Sequence, residues 1–267
     1  MPEITPDEAD GDGTADWHDR VVKRSLRTAT QRSIDRGFSL VQAAARLLER
    51  SNGDRFTVQE VADEAGQSLR TLYQYFESKD DLLLAVFEES MQAYARMIGE
   101  AIVDLADPLE RLGGALVAAV RMPEFSDTGV DRGLARLRLE LSEVGPELVA
   151  RSQRPVTLVM RDVVADAARA GAIRTDDPEA ATFMVLALKS AFITSNTLGN
   201  DSGVRLPTAF TLVSFCLAGL GAPVDDTWLE SVDAKLHMPT RVTLDARTAS
   251  TRRPRAARKT TTATTPA

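Results

Sequence analysis

Apolar residues recur at helical spacing along most of the chain, and no run shows the strict alternation of a half-buried strand. Ile34, Phe38, Val41, Ala45 and Leu48 step by four and three, which predicts one inward face of a helix from about Thr28. Ser51-Asn52-Gly53-Asp54 stops it. Thr57-Val58-Gln59-Glu60 then fits a capping box. A short helix follows, with Val58, Val61, Ala62 and Ala65 inward, and Gly66 ends it. Ser68 caps a second short helix, Leu69 to Phe76, and Ser78 a long third one with Leu82, Val86, Met91, Tyr94 and Ile98 among its apolar positions.

Further helices are expected from Asp107-Pro108 to about Arg121, and over 131–143, 146–170, 178–198, 207–220 and 226–237, with a loop from Met122 to Val130. Residues 1 to about 25 and the tail from Pro239 lack apolar periodicity and are expected to be disordered. The longest uncharged run, Leu206 to Val224, holds two prolines and two glycines and reads as a buried or interface helix, not a membrane span.

Composition sharpens this reading. Aromatics at 5% and 28 Gly plus Pro among 267 residues disfavour an all-β fold. One cysteine, Cys216, excludes an internal disulfide framework and suits a reducing compartment. The first nineteen residues carry seven acids and no apolar stretch, so no signal peptide is visible there and a cytoplasmic location is expected. The net charge of −7 conceals an asymmetry: residues 20–80 sum to +3 and 239–267 to +6, against −9 over 81–238. An acidic total therefore leaves a nucleic-acid partner open.

Catalytic and cofactor patterns are missing from the sequence. No lysine follows a glycine as a P-loop requires, and neither Gly11-Asp12-Gly13 nor Gly219-Leu220-Gly221 completes a dinucleotide fingerprint. There is no nucleophile elbow, and Cys216 sits in an apolar helix. With two histidines, His18 and His237, there is little material for a metal site. No enzyme activity, metal or cofactor is expected.

The segment 57–76 is distinctive. Two short capped helices around Gly66 make a helix-turn-helix. In the second helix Leu72 and Phe76 can face inward while Arg70, Thr71, Tyr73, Gln74 and Tyr75 project elsewhere. Arginine can fork onto guanine and glutamine can pair with adenine, whereas Thr and Tyr reach bases or phosphates. Lys79 opens the next helix, where its ammonium and the helix N-terminus can both meet a phosphate.

The stretch Phe56-Thr57-Val58-Gln59-Glu60-Val61-Ala62-Asp63-Glu64-Ala65-Gly66, continued by Ser68, Thr71-Leu72-Tyr73, Tyr75-Phe76, Ser78-Lys79 and Leu82-Leu83, resembles the TetR family of bacterial transcription regulators. The resemblance covers about 50 residues, Phe38 to Val86. It implies a dimeric DNA-binding protein, usually a repressor, that binds a palindromic operator and is released by a small effector held in a helical domain. It places DNA contacts on Thr57, Ser68, Arg70, Thr71, Tyr73, Gln74, Tyr75 and Lys79. Two residues depart from the family pattern. Gln67 replaces an apolar turn residue, and Leu69 stands at an outward position, where it either touches a thymine methyl or packs on the first helix. Tyr73 and Tyr75 could instead pad the core, Thr57 could act only as a cap, and Lys79 could be a solvated charge.

The fold expected is all-α, an N-terminal three-helix domain with a helix-turn-helix followed by a helical-bundle domain. The chain divides into an acidic N-terminus with a basic arm (1–27), the helix-turn-helix domain (28–78), a ligand-binding and dimerisation domain (79–237) and a basic tail (238–267). Arg20, Lys23, Arg24, Arg27, Arg32 and Arg36 form either a solvated face or a DNA-tracking arm. Two apolar late helices are expected to pair across a homodimer, burying Phe183, Leu186, Phe210, Val213 and Leu217; the competing reading makes both helices core. Periodicity does not separate pocket lining from core, so no effector residues are assigned, and the effector expected is apolar or amphipathic. The alternative to a regulator is a helical interaction protein without sequence-specific DNA binding.

Overall fold

A computed structural model describes residues 17–51, 56–125, 128–199 and 203–238. These residues form ten α-helices and no strand. The N-terminal unit comprises α1 (Trp17–Arg50), α2 (Val58–Glu64) and α3 (Leu69–Tyr75). Then come α4 (Lys79–Ala101), α5 (Pro108–Phe125), α6 (Thr128–Val144), α7 (Pro146–Arg169), α8 (Pro178–Leu198), α9 (Ala209–Gly219) and α10 (Asp226–Asp233).

The caps read from sequence are present. Thr57 and Glu60 form a reciprocal capping box at α2. The side chains of Ser68, Ser78 and Asp107 accept backbone N–H bonds at the starts of α3, α4 and α5. Such bonds satisfy donors that a helix start otherwise leaves unpaired, which matters most for two-turn helices with little packing of their own.

Three expectations are corrected. Helix α1 begins at Trp17, well before Thr28, so residues 17–27 are helical and not disordered. Ile34, assigned to the inward stripe, is 49% exposed; burial on α1 starts around Phe38 and becomes complete at Leu40. Helix α5 runs on to Phe125 and α6 starts at Thr128, so most of the expected loop 122–130 is helical. The tail from Pro239 and residues 1–16 lie outside the described residues.

Helix α5 is the hub of the larger unit. It packs against α4, α6, α7, α8, α9 and α10. Leu112, Ala115, Leu116, Val117, Ala118, Ala119 and Val120 on it are all buried. A helix apolar all round must be covered all round, and its alanines let neighbouring backbones approach closely. One hydrophobic cluster runs from Leu40 and Leu72 in the N-terminal unit through Leu82 and Val86 of α4 to Leu229 and Val232 of α10.

Helix α8 is the one described helix long and apolar enough to cross a membrane by length and composition. It packs on α7, α6, α5 and α9 and leaves one face, with Phe183, Met184, Ala187, Leu188 and Ala191, exposed.

Candidate nucleic-acid interface

The interface is built on α2, the turn at Gly66 and α3. Gly66 has a φ of +63°, a conformation that costs a side-chain-bearing residue energy, so the chain turns there without strain. Leu72 is fully buried and Phe76 nearly so, which fixes the inner face of α3. Arg70, Tyr73 and Gln74 are then exposed. None of these three side chains forms a hydrogen bond or ion pair with another described residue, and Tyr73 is 52% exposed despite its apolar ring. One helix therefore presents a guanidinium, a phenol and a carboxamide to solvent with their donors and acceptors unspent.

The other predicted contact residues have partners within the molecule. Ser68 Oγ accepts from Thr71 N at 3.0 Å and shares a 2.8 Å hydroxyl–hydroxyl bond with Thr71. Thr57 accepts from Glu60 N at 3.2 Å and donates to its carboxylate at 2.8 Å. This bonding holds the Glu60 carboxyl below its usual range, the Thr57 backbone N–H being the larger cause and its hydroxyl the second. Tyr75 is half-buried and accepts a 3.3 Å bond from Ser33 on α1. Its ring lies over Gly37, where an added Cβ would come within 3.3 Å of Cδ1. Lys79 donates to the Phe56 carbonyl and lies 4.7 Å from the centre of the Phe56 ring.

The two departures from the family pattern are placed as well. The Gln67 carboxamide donates to the carbonyl of Arg36 and to Ser39 Oγ, tying the turn to α1. Its Oε1 is buried without a hydrogen-bond partner. Leu69 is half-buried. Glu64 receives Arg46 at 3.0 Å and Arg50 at 2.5 Å from α1. Hydrogen bonds from Arg50 and then Arg46 hold the Glu64 carboxyl down at about 2. Side chains of α1 thus clamp α2, the turn and α3.

The residues expected at a dimer contact separate into two groups. Phe183 on α8 is 73% exposed, and Leu186 and Phe210 are half-buried. Val213 and Leu217 have no exposed surface, so they belong to their own subunit's core and cannot reach a partner. Helix α9 instead turns Phe215 outward at 66% exposure, a residue the sequence reading missed. Met184 and Leu188 on α8 are exposed as well.

A cavity of about 710 Å³ lies among α4, α6, α7 and α8, lined by Met91, Val156, Phe183 and Leu186 together with polar groups. A smaller lobe of about 80 Å³ reaches Phe87, Tyr94 and Leu134, and the two share Met91, Arg138, Gln153, Lys189 and Ser190. Arg138 donates to Ser190 Oγ. Burial, and then the charge of Arg138, push the Lys189 ammonium down to about 8. The sequence offered one signal for this wall, Lys189 as the single charge between Ala180 and Thr197. Among the described residues no group of three His, Cys, Asp or Glu side chains could hold a metal ion.

Comparison with known proteins agrees with this arrangement. The family described as bacterial regulatory proteins, tetR family, matches residues 40–86, the end of α1 to the second turn of α4. The fatty acid metabolism regulator protein of Bacillus subtilis (strain 168) is 30% identical over 110 residues, 41% of this chain and 54% of that protein. The HTH-type transcriptional regulator HbdR of Aromatoleum sp. (strain CIB) is 32% identical over 95 residues, 36% of this chain and 42% of that protein. The chain thus spans about half the length of these relatives. Among solved structures, RolR in complex with resorcinol aligns over 80% of this chain and 100% of that chain, at a TM-score of 0.57 and 18% identity. FadR from Bacillus subtilis in complex with stearoyl-CoA aligns over 68% and 97%, at a TM-score of 0.54 and 20% identity. These structures share the fold, an N-terminal helix-turn-helix followed by a helical domain.

Proposed function

We propose, from the match of residues 40–86 to the tetR family of bacterial regulatory proteins, that the chain is a ligand-responsive transcriptional regulator, a repressor that binds a palindromic operator as a homodimer. The observation that carries this reading is the set Arg70, Tyr73 and Gln74, exposed and unpartnered among described residues on a capped helix whose other face is locked. In this role α3 enters the major groove, with Arg70 and Gln74 reading base edges and Tyr73 a base or phosphate. Ser68 and Thr71 keep the start of α3 in shape and offer their hydroxyls to the backbone. Tyr75 positions α3 against α1. Lys79 and Thr57 flank the groove and meet phosphates. Binding to the chromosome places the protein in the cytoplasm.

One such unit reads too few base pairs for a useful specificity ratio, so a second half-site is needed. The uncovered apolar face of α8 and α9, centred on Phe183 and Phe215, supplies the surface for two-fold pairing. This revises the expected contact set: Phe183, Leu186 and Phe210 stay, while Val213 and Leu217 give way to Phe215 and Leu188.

The effector belongs in the 710 Å³ cavity. The relatives' ligands, resorcinol and stearoyl-CoA, differ widely in size. Helix α4 links the two sites: Lys79 at its start lies beside the reader, and Met91, twelve residues on and roughly 18 Å along the axis, lines the cavity. An effector that binds better to the DNA-incompetent arrangement of α4 shifts the population away from operator binding; one that binds both arrangements equally changes nothing.

The test is to recover genomic fragments retained by the full-length protein and measure their binding by fluorescence anisotropy. A palindromic site bound at least a thousandfold more tightly than random DNA is expected. Binding that is equal on all sequences, or absent, would leave a helical interaction protein as the better reading.

A further inference from the structure

Residues 81–238 carry a net −9, yet the cavity wall within them is cationic. Arg138, Arg154, Arg161 and Lys189 line it, against one carboxylate, Glu179. Arg154 and Arg161 stand exposed, and Arg161 is 3.2 Å from Asp162. Arg138 and Lys189 are different. Both are partly buried, both line the main cavity and its inner lobe, and neither forms an ion pair among the described residues. Glu179 lies ten residues before Lys189 on α8, about 15 Å along the axis, too far to neutralise it.

Two like charges withdrawn from water without a carboxylate are unfavourable for the folded chain by itself. Their ordinary remedy is an anion. The pushed-down ammonium of Lys189 reports the same unmet demand. The remaining walls are apolar: Met91, Val156 and Leu186 in the main cavity, Phe87, Leu134 and Ile193 in the inner lobe. A cavity of 710 Å³ is also of the size that holds a small-molecule ligand.

We propose that this cavity takes an amphipathic anion, a carboxylate or phosphate monoester on an apolar body, with Arg138 and Lys189 as the counter-charges to its head. Ser190, held by Arg138, offers the head a hydroxyl, and Gln153 a carboxamide donor. The inference rests on the effector-regulated reading above and names the chemical class of the effector.

The experiment titrates the full-length protein by calorimetry with laurate, dodecyl phosphate and dodecanol, each below its aggregation concentration. At least one of the two anions is expected to bind tenfold or more tightly than dodecanol, and whichever does so identifies the head as carboxylate or phosphate. Arg138→Gln and Lys189→Met should each remove most of that preference while leaving dodecanol affinity within twofold. Lys189→Met should also raise the melting temperature of the ligand-free protein by about 2–4 °C, because it deletes an uncompensated charge. Equal affinity for dodecanol and both anions, a preference that survives both substitutions, or a lower melting temperature in Lys189→Met would overturn the assignment. DNA binding is measured on the same preparations without any probe. Intact operator binding with no anion preference sinks this inference alone. A preserved anion preference without DNA binding supports it and sinks the regulator reading instead.

Discussion

Helices α3 and α8 both leave a large part of their surface uncovered, but with opposite chemistry. Outward from α3 come Arg70, Tyr73 and Gln74, groups that hydrogen-bond well to water and equally well to base edges. Outward from α8 come Phe183, Met184 and Leu188, groups that gain only by leaving water. Exposure alone therefore says little about what a surface is for. A polar face needs a specific partner in order to act and is stable without one, whereas an apolar face of this extent calls for cover.

The strongest test of that contrast charges the apolar face. Phe183→Glu combined with Phe215→Glu should convert the proposed dimer to a folded monomer by light scattering, with operator affinity down at least a hundredfold, because both substitutions put charge at the centre of an apolar contact. A dimer that survives both changes places the interface elsewhere. Leu217→Ala, two residues from Phe215 on α9 but fully buried, should act on stability instead. A loss of about 2–5 kcal/mol in urea unfolding is expected, with the oligomeric state of the folded fraction unchanged.

Truncating the polar face should leave the fold alone. Arg70→Ala and Tyr73→Ala should each weaken operator binding by about 1–3 kcal/mol at unchanged melting temperature. Lys79→Ala should weaken specific and random DNA alike and reduce the salt slope by about one unit. Two variants with parental affinity at the first pair would remove α3 from the groove.

The smallest effect concerns the clamp between α1 and α2. The Glu64 carboxyl, ordinarily near 4.5, is held at about 2 by Arg50 and Arg46. A depressed carboxyl stabilises the fold above its ordinary value, and that contribution is lost as the pH falls from about 4.5 to about 2. Glu64→Gln should accordingly be less stable than the parent at neutral pH, and the two should converge near pH 2 in acid-unfolding curves. Because the pair is solvent-exposed, the difference should be small and should shrink further in high salt. Parallel curves across that range would show that the ion pair contributes nothing.

Local chemistry made much of this protein legible from residues alone. The capping box at Thr57, the turn at Gly66 and the caps at Ser68, Ser78 and Asp107 act over three or four residues, so spacing by itself is enough to place them. The outward set on α3 followed from two inward anchors four residues apart, Leu72 and Phe76. Tertiary structure decided the rest. Val213 and Phe215 are two residues apart on an uncharged helix, one buried and one 66% exposed, and with apolar side chains on every face no periodicity could tell them apart. Sequence groups Tyr75 with the projecting residues and shows Gln67 only as a polar residue at a turn, because nothing local fills the space that α1 occupies at Gly37, Arg36 and Ser39. The pairing of Arg138 with Lys189 joins residues 51 apart in sequence, and only the packing of α6 on α8 brings two cations to one cavity wall without a carboxylate between them.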